Sequence, residues 1–274
     1  MFHDVNVVRK EMRTTVPIDR VWDAWTDPDR LCQWFTDKVR GWPGVGSTLS
    51  LTWEKFGFTV DYKIAEMVPR KKVVLKTRLS GVGTQVLTVE LGRRAPETIL
   101  SLSESGPENH KSDPLESGVD SGWAMALGVL KLYLEQHYTE KRKSFLAMLP
   151  AQFTYDHLRA FTLTPEGQRE WLAVNGHFPN QVGEKFELEM VGGQKMSGEV
   201  LVITHHEILV SWHEVNGYLE FKSFPLSGDQ KGLCIRGAGY DISDERCDEI
   251  EEICKETLVR LFAALAGPAP TPAG

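Results

Sequence analysis

The chain has 274 residues, 41% hydrophobic and 25% charged, a composition that fits one or two globular domains. No run approaches the roughly 18 consecutive apolar residues of a membrane helix, and the opening MFHDVNVVRKEMRTTV lacks the apolar stretch of an export signal; a cytoplasmic protein is expected. The net charge of −7 is uneven, +2 over residues 1–143 and −9 over 144–274, and so acidic a second half speaks against a nucleic-acid partner, which would concentrate cations against phosphate.

Residues 3–15 alternate as a strand. PIDRVWDAWTDPDRLCQWF follows, with Pro17 suited to a helix start and Asp27-Pro28 dividing the segment into two short helices. Period-two runs come next: Leu49, Leu51 and Trp53; Phe58, Val60, Tyr62 and Ile64; Val73 and Leu75; Leu87, Val89 and Leu91; then Ile99 to Leu102. Such alternation describes an antiparallel sheet with one buried face. A polar loop over 103–118 leads to a long helix carrying Trp123, Leu127, Leu130 and Leu134 on one side, with Asp120 or Ser121 as its cap.

The second half follows the same order. Strands are expected at Phe186–Met190, Val200–Ile203, Ile208–Trp212, Leu219–Phe224 and Leu233–Gly237. Ser243 caps a helix with acids in its first turn, and an apolar stripe runs from Ile250 through Cys254, Leu258 and Phe262 to Leu265. Residues 267–274, GPAPTPAG, read as a disordered tail. Between Phe145 and Phe153 there is only FLAMLPAQF, so the first strand of this half is expected to be shortened or missing. An unpaired sheet edge would then need a cover, supplied by the partner domain or by another subunit, the latter a homodimer through the second domain's edge.

The two halves are related by a shift of 137 residues. It carries Pro28, Trp34 and Phe35 onto Pro165, Trp171 and Leu172, and VGSTLSL (45–51) onto VGEKFEL (182–188), without a gap. The reading is a tandem duplication, with one domain over 1–143 and a divergent copy over 144–266.

The order strand, helix pair, antiparallel run and long terminal helix resembles the helix-grip fold. At PIDRVWDAWTDPDRLCQWF, PGVGSTLSL and SGWAMALGVLKLYLE the first half resembles the activator-of-heat-shock-protein-90-ATPase-like family of the START-like (SRPBCC) superfamily, and LTPEGQREWL, VGEKFEL and ILVSW make the second half similar to it. The resemblance implies an α+β protein of two domains, each a curved sheet wrapped around its C-terminal helix over a cavity that can take an apolar ligand. The Asn- and Trp-rich motif of the eukaryotic namesake's separate activating domain is not found in the chain.

Trp25, Trp53, Tyr62, Trp123 and Leu127 are the candidate cavity residues. Trp53 and Trp123 lead, because a strand and the long helix should face each other; Tyr62 is in register with inward apolar neighbours, whereas Asp61 and Glu220 alternate outward. The eight tryptophans are otherwise expected in the core, Trp34 and Trp171 sharing one structural task. THHE (204–207) is not a metal site if extended, since adjacent strand residues point to opposite faces, and His213 sits near solvent beside the Asn-Gly turn. The four cysteines show no pairing motif, and no catalytic signature, metal or cofactor is expected. The resulting expectation is a non-enzymatic, cytoplasmic binder of a hydrophobic small molecule or a protein client, with a chaperone or stress connection. The alternative is a polyketide cyclase or dehydratase using Tyr62 or Asp61 as acid/base.

Overall fold

A computed structural model describes residues 7–79, 83–106, 118–205, 207–226 and 230–270. The chain forms two compact units, Met1–Glu140 and Lys141–Gly274.

In the first unit β1 (Val7–Thr14) precedes α1 (Ile18–Thr26) and α2 (Pro28–Trp34). Then come β2 (Lys38–Arg40), β3 (Thr48–Trp53), β4 (Phe58–Val68), β5 (Lys72–Leu79), β6 (Gly83–Arg94) and β7 (Glu97–Ser105). They form one antiparallel sheet in the order β1-β7-β6-β5-β4-β3-β2. The terminal helix α3 (Gly118–Leu132) runs on into a π-helical turn at Tyr133–His137 and packs on β1. It begins at Gly118, so Asp120 lies inside the first turn and is not the cap.

The second unit repeats this plan: β8 (Arg142–Ala151), α4 (Tyr155–Thr162), α5 (Pro165–Trp171), β9 (Ala173–Asn175), β10 (Lys185–Met190), β11 (Lys195–Ile203), β12 (Ile208–Trp212), β13 (Gly217–Pro225), β14 (Lys231–Tyr240) and α6 (Asp244–Leu265). Its sheet order, β8-β14-β13-β12-β11-β10-β9, is that of the first unit strand for strand. Ser243 caps α6 by accepting from the Arg246 amide, and Ile250, Cys254, Leu258 and Leu261 bury its inner face against β8 and β14. Phe262, at the margin of the expected stripe, is 47% exposed.

The duplication is visible bond by bond. Asp27 and Thr164 each cap the second short helix, accepting from the amides of Asp29 and Gly167, and a proline follows at the first helical position. Trp34 donates its indole N–H to the Ala24 carbonyl at 2.8 Å, and Trp171 donates to Phe161 at 3.0 Å, ten residues back in both cases. The Val-Gly turns enter β3 and β10 with Gly46 and Gly183 at the same positive φ of 88°, each amide bonded to the strand beyond, at Ile64 and Val200.

Two expectations are corrected. The first strand of the second unit is neither shortened nor missing: β8 has ten residues and pairs with β14 along its whole length, from Arg142–Tyr240 to Ala151–Lys231. Phe145, Ala147, Leu149 and Ala151 form its inner row, but Leu146 and Met148 make the outer row apolar as well and Pro150 interrupts the pattern, which hides the alternation. As an edge strand β8 can accommodate that proline. The argument for a homodimer through an unpaired edge loses its premise. Glu220 does alternate outward on β13 but does not reach solvent; it is fully buried, 2.6 Å from Arg236 and 3.5 Å from Lys222. His206, residues 3–6 of the first strand, 107–117 of the polar loop and 271–274 of the tail lie outside the described residues.

Candidate functional site

At the end of α2, Trp34 is anchored by its indole bond, and the chain turns so that Phe35 enters an aromatic group. Phe35 stacks on Trp34 (4.9 Å between ring centroids) and on Trp123 of α3 (5.7 Å), and meets Trp53 of β3 edge-on at 5.3 Å. Trp25 lies 5.0 Å from Trp34 and 6.2 Å from Trp123. On the outer side Trp53, whose indole donates to the Phe35 carbonyl at 2.7 Å, stacks on Phe58 at 5.0 Å. The result is a continuous aromatic wall from buried Trp25 to Phe58, which is 48% exposed. Each such pair contributes about 0.5–1.5 kcal/mol beyond the area it buries. The Trp25 indole N–H is buried and has no hydrogen-bond partner among the described residues.

Beside this wall the inner face of the sheet is polar. Strand register places Tyr62 with Leu49, Thr77 opposite Gln85, and Glu104 between Leu87 and Val8, all on the face that carries Ile64, Leu75 and Val89. Thr77 and Gln85 are buried, and Trp123 donates its indole N–H to the Glu104 carboxylate. Burial, and then the charge of Glu104, push the Tyr62 hydroxyl well above its ordinary range, so it stays a neutral phenol able to donate.

The second unit treats the same positions differently. Ile64 and Val200 answer to each other through the turn bonds above, and the ladders then equate Leu75 with Val210, Leu87 with Leu219, Glu104 with Gly237 and Val8 with Phe145. On the same register Tyr62, Thr77 and Gln85 become Gly198, Trp212 and Gly217. Hydroxyl, amide and carboxylate are thus replaced by one large indole among glycines. Trp212 is fully buried and edge-on to Phe145 at 6.3 Å. A Cβ on Gly237 would sit 2.5 Å from the Phe145 ring, so the glycine is what makes room for it. The interior of the second unit is plugged with its own side chains; the first presents hydrogen-bonding groups in that space.

Of the residues singled out in the sequence, Trp25, Trp53 and Trp123 come together through Phe35. Tyr62 is half-buried on the inner face, and Leu127 is buried one turn along α3 from Trp123. Asp61 is exposed on the outer face, bonded to the Ser50 hydroxyl at 2.6 Å. The sequence reading passed over Phe35, Thr77, Gln85 and Glu104. Glu104 carries a signal, since it continues the inward series Leu100 and Leu102, but it falls in the segment that composition marks as the polar loop. Among the described residues no three His, Cys, Asp or Glu side chains converge as a metal site, and no helix is long and apolar enough to cross a membrane.

Residues 15–135 match the family profile described as Activator of Hsp90 ATPase homolog 1-like protein. This segment is similar to that family. The second unit, beyond the match, carries the same START-like topology in tandem. No curated protein matches the chain. Among solved structures, DynU16 of the dynemicin biosynthetic locus is 18% identical over 94% of this chain and 97% of its own, with a TM-score of 0.44. The di-domain ARO/CYC BexL from the BE-7585A biosynthetic pathway is 12% identical over 96% and 99%, with a TM-score of 0.42. The Aha1 dimer from Colwellia psychrerythraea is 22% identical over 47% and 96%, with a TM-score of 0.41. A fold of this family is suited to ligand binding.

Proposed function

We propose that the first unit is a non-enzymatic receptor for a hydrophobic small molecule with hydrogen-bonding substituents, held between α3 and the sheet. The observation that carries this is the contrast between the two units. Thr77, Gln85 and Glu104 occupy the positions that Trp212, Gly217 and Gly237 fill in the second unit. Natural ligand sites are mostly apolar and aromatic with a few placed polar groups; here the wall is Trp25, Phe35, Trp53 and Trp123 and the polar groups are Tyr62, Thr77, Gln85 and Glu104. Leu127 extends the apolar side. The Trp25 N–H, without a hydrogen-bond partner among the described residues, adds a donor, whose burial without an acceptor costs about 1–3 kcal/mol that a bound carbonyl or hydroxyl would recover.

Acid/base chemistry by the residues considered for it is not favoured. Burial and Glu104 keep Tyr62 a neutral phenol, which is not poised as a base near neutral pH, and Asp61 faces away from the interior. The second reading, binding of a chaperone or protein client, is favoured by the family description and by Trp42, 81% exposed between β2 and β3. Four free cysteines suit a reducing, cytoplasmic setting.

Titration with the neutral dye N-phenyl-1-naphthylamine, followed by its emission and by tryptophan quenching, tests the small-molecule reading. The dye should bind the first unit, and Thr77→Trp, which imports the second unit's plug, should abolish binding while far-UV circular dichroism stays unchanged. Binding that survives Thr77→Trp would place the dye elsewhere and remove the proposal. For the second reading the chain is added to a purified heat-shock protein 90; an unchanged ATPase rate rejects it.

A further inference from the structure

The first unit's sheet is open on one side of the polar row. β4 and β5 pair only from Lys63–Lys76 to Val68–Lys72; beyond that point Phe58–Tyr62 pair with β3 alone and Thr77–Leu79 with β6 alone. Between the parted strands lies a cleft of about 530 Å³ whose lining includes Val60, Asp61, Lys63, Lys76, Thr77 and Arg78. That volume is in the range of small-molecule sites. Two of the lining residues, Val60 and Thr77, belong to the inner face, and Thr77 is a member of the polar row. The cleft lies on the outer surface, and Val60 and Thr77 at its floor are what separates it from the interior beside Tyr62.

In the second unit the ladder parts at the equivalent point, after Val200–Val210, but the gap is bridged by other contacts. Gly198 stands where Tyr62 does, and its backbone approaches β12 so closely that a Cβ would lie 2.0 Å from the Ser211 carbonyl oxygen. Ser211, at the position of Lys76, accepts from the Glu199 amide at 2.8 Å and stitches β11 to β12. A tyrosine and a lysine stand in one copy where a glycine and a serine bring the strands close in the other. Opening and polar interior occur in the same unit, and stitch and plug in the other.

The rim of the opening is cationic. Lys63, Lys76 and Arg78 surround it, and the single carboxylate among the lining residues, Asp61, is engaged by Ser50. At the inner end the charge reverses, because Glu104 faces the interior. An acidic group is favoured outside and repelled within.

We propose that this cleft is the portal of the first unit and an anion subsite, and that the ligand is an amphiphilic organic acid. Its carboxylate or sulfonate stays among Lys63, Lys76 and Arg78 while its apolar body passes Val60 and Thr77 towards the aromatic wall. The proposal rests on the receptor reading above and adds the entry route and the charge of the ligand.

Two dyes that share one aromatic body separate the claims: neutral N-phenyl-1-naphthylamine and anionic 8-anilinonaphthalene-1-sulfonate. The sulfonate should bind the full chain about tenfold more tightly, the order expected for three exposed cations acting together, and the advantage should shrink as salt is raised. In Lys63→Ser/Lys76→Ser/Arg78→Ser the dissociation constants should converge while neutral-dye affinity holds. Tyr62→Gly/Lys76→Ser, which imports the closing pair, should slow the association of both dyes. Equal affinities in the wild type, or an anionic preference that survives the triple substitution, overturn the portal and leave the receptor standing. If neither dye binds, both fall.

Discussion

Trp34 and Trp171 show how much one side-chain bond fixes. Each indole reaches back ten residues to a carbonyl in the preceding short helix and ties the end of the second helix to the first. Replacing either with Phe keeps the ring but leaves a buried carbonyl without its donor, for a loss of about 1–3 kcal/mol each. Urea denaturation should show both variants destabilised by similar amounts, since the two sites are copies; a neutral Trp34→Phe would mean the bond contributes nothing. The pair was legible in the sequence because turn, cap and tryptophan recur at one offset without a gap. The polar row was not. Beyond β3 the hairpins differ in length, so that Leu87 answers to Leu219, 132 residues on, whereas Leu49 answers to Phe186 at 137. A fixed shift slides past the equivalence, and only ladder register restores it.

At the scale of elements, β13 and β14 carry a charge cluster on a face the alternation assigned to solvent. Burial tends to raise the Glu220 carboxyl, but Arg236 and Lys222 outweigh it and hold the group below the ordinary carboxylate range. A carboxyl depressed on folding stabilises the protein above its unfolded pKa, and that stability is lost as pH falls through the folded value. Denaturation midpoints should therefore hold through neutral pH and decline below about pH 4, and Glu220→Gln should flatten that acid limb. Arg236→Met strands the buried carboxylate and should cost about 3–5 kcal/mol at neutral pH. Charge could not be placed from the sequence because alternation gives the direction of a side chain and not whether that direction leads to water. β8 was lost for the related reason that both of its rows are apolar.

For the molecule as a whole, one fold written twice has kept an interior in one copy and filled it in the other. The filling is a matched set: Gly237 leaves room for the Phe145 ring, while Gly198 and Gly217, on the same inner face as Trp212, lie tight against the Ser211 and Ala238 backbone. The reverse exchange tests whether those few residues account for the difference. Trp212→Thr with Phe145→Val removes the plug and leaves the sheet and α6 in place. Unfolding free energy should fall by about 3–5 kcal/mol or more, the range for emptying a large aromatic from a core that collapses only in part. If the vacated space resembles that of the first unit, calorimetric titration with N-phenyl-1-naphthylamine should rise from one dye per chain to two, the second bound more weakly because glycines stand where Tyr62, Gln85 and Glu104 supply polar contacts. Stoichiometry fixed at one in a variant that remains folded would show that the second unit collapses around the loss. Full stability in the doubly substituted chain would show that Trp212 and Phe145 do not pack as a plug, because no packed indole can be removed from a core without cost.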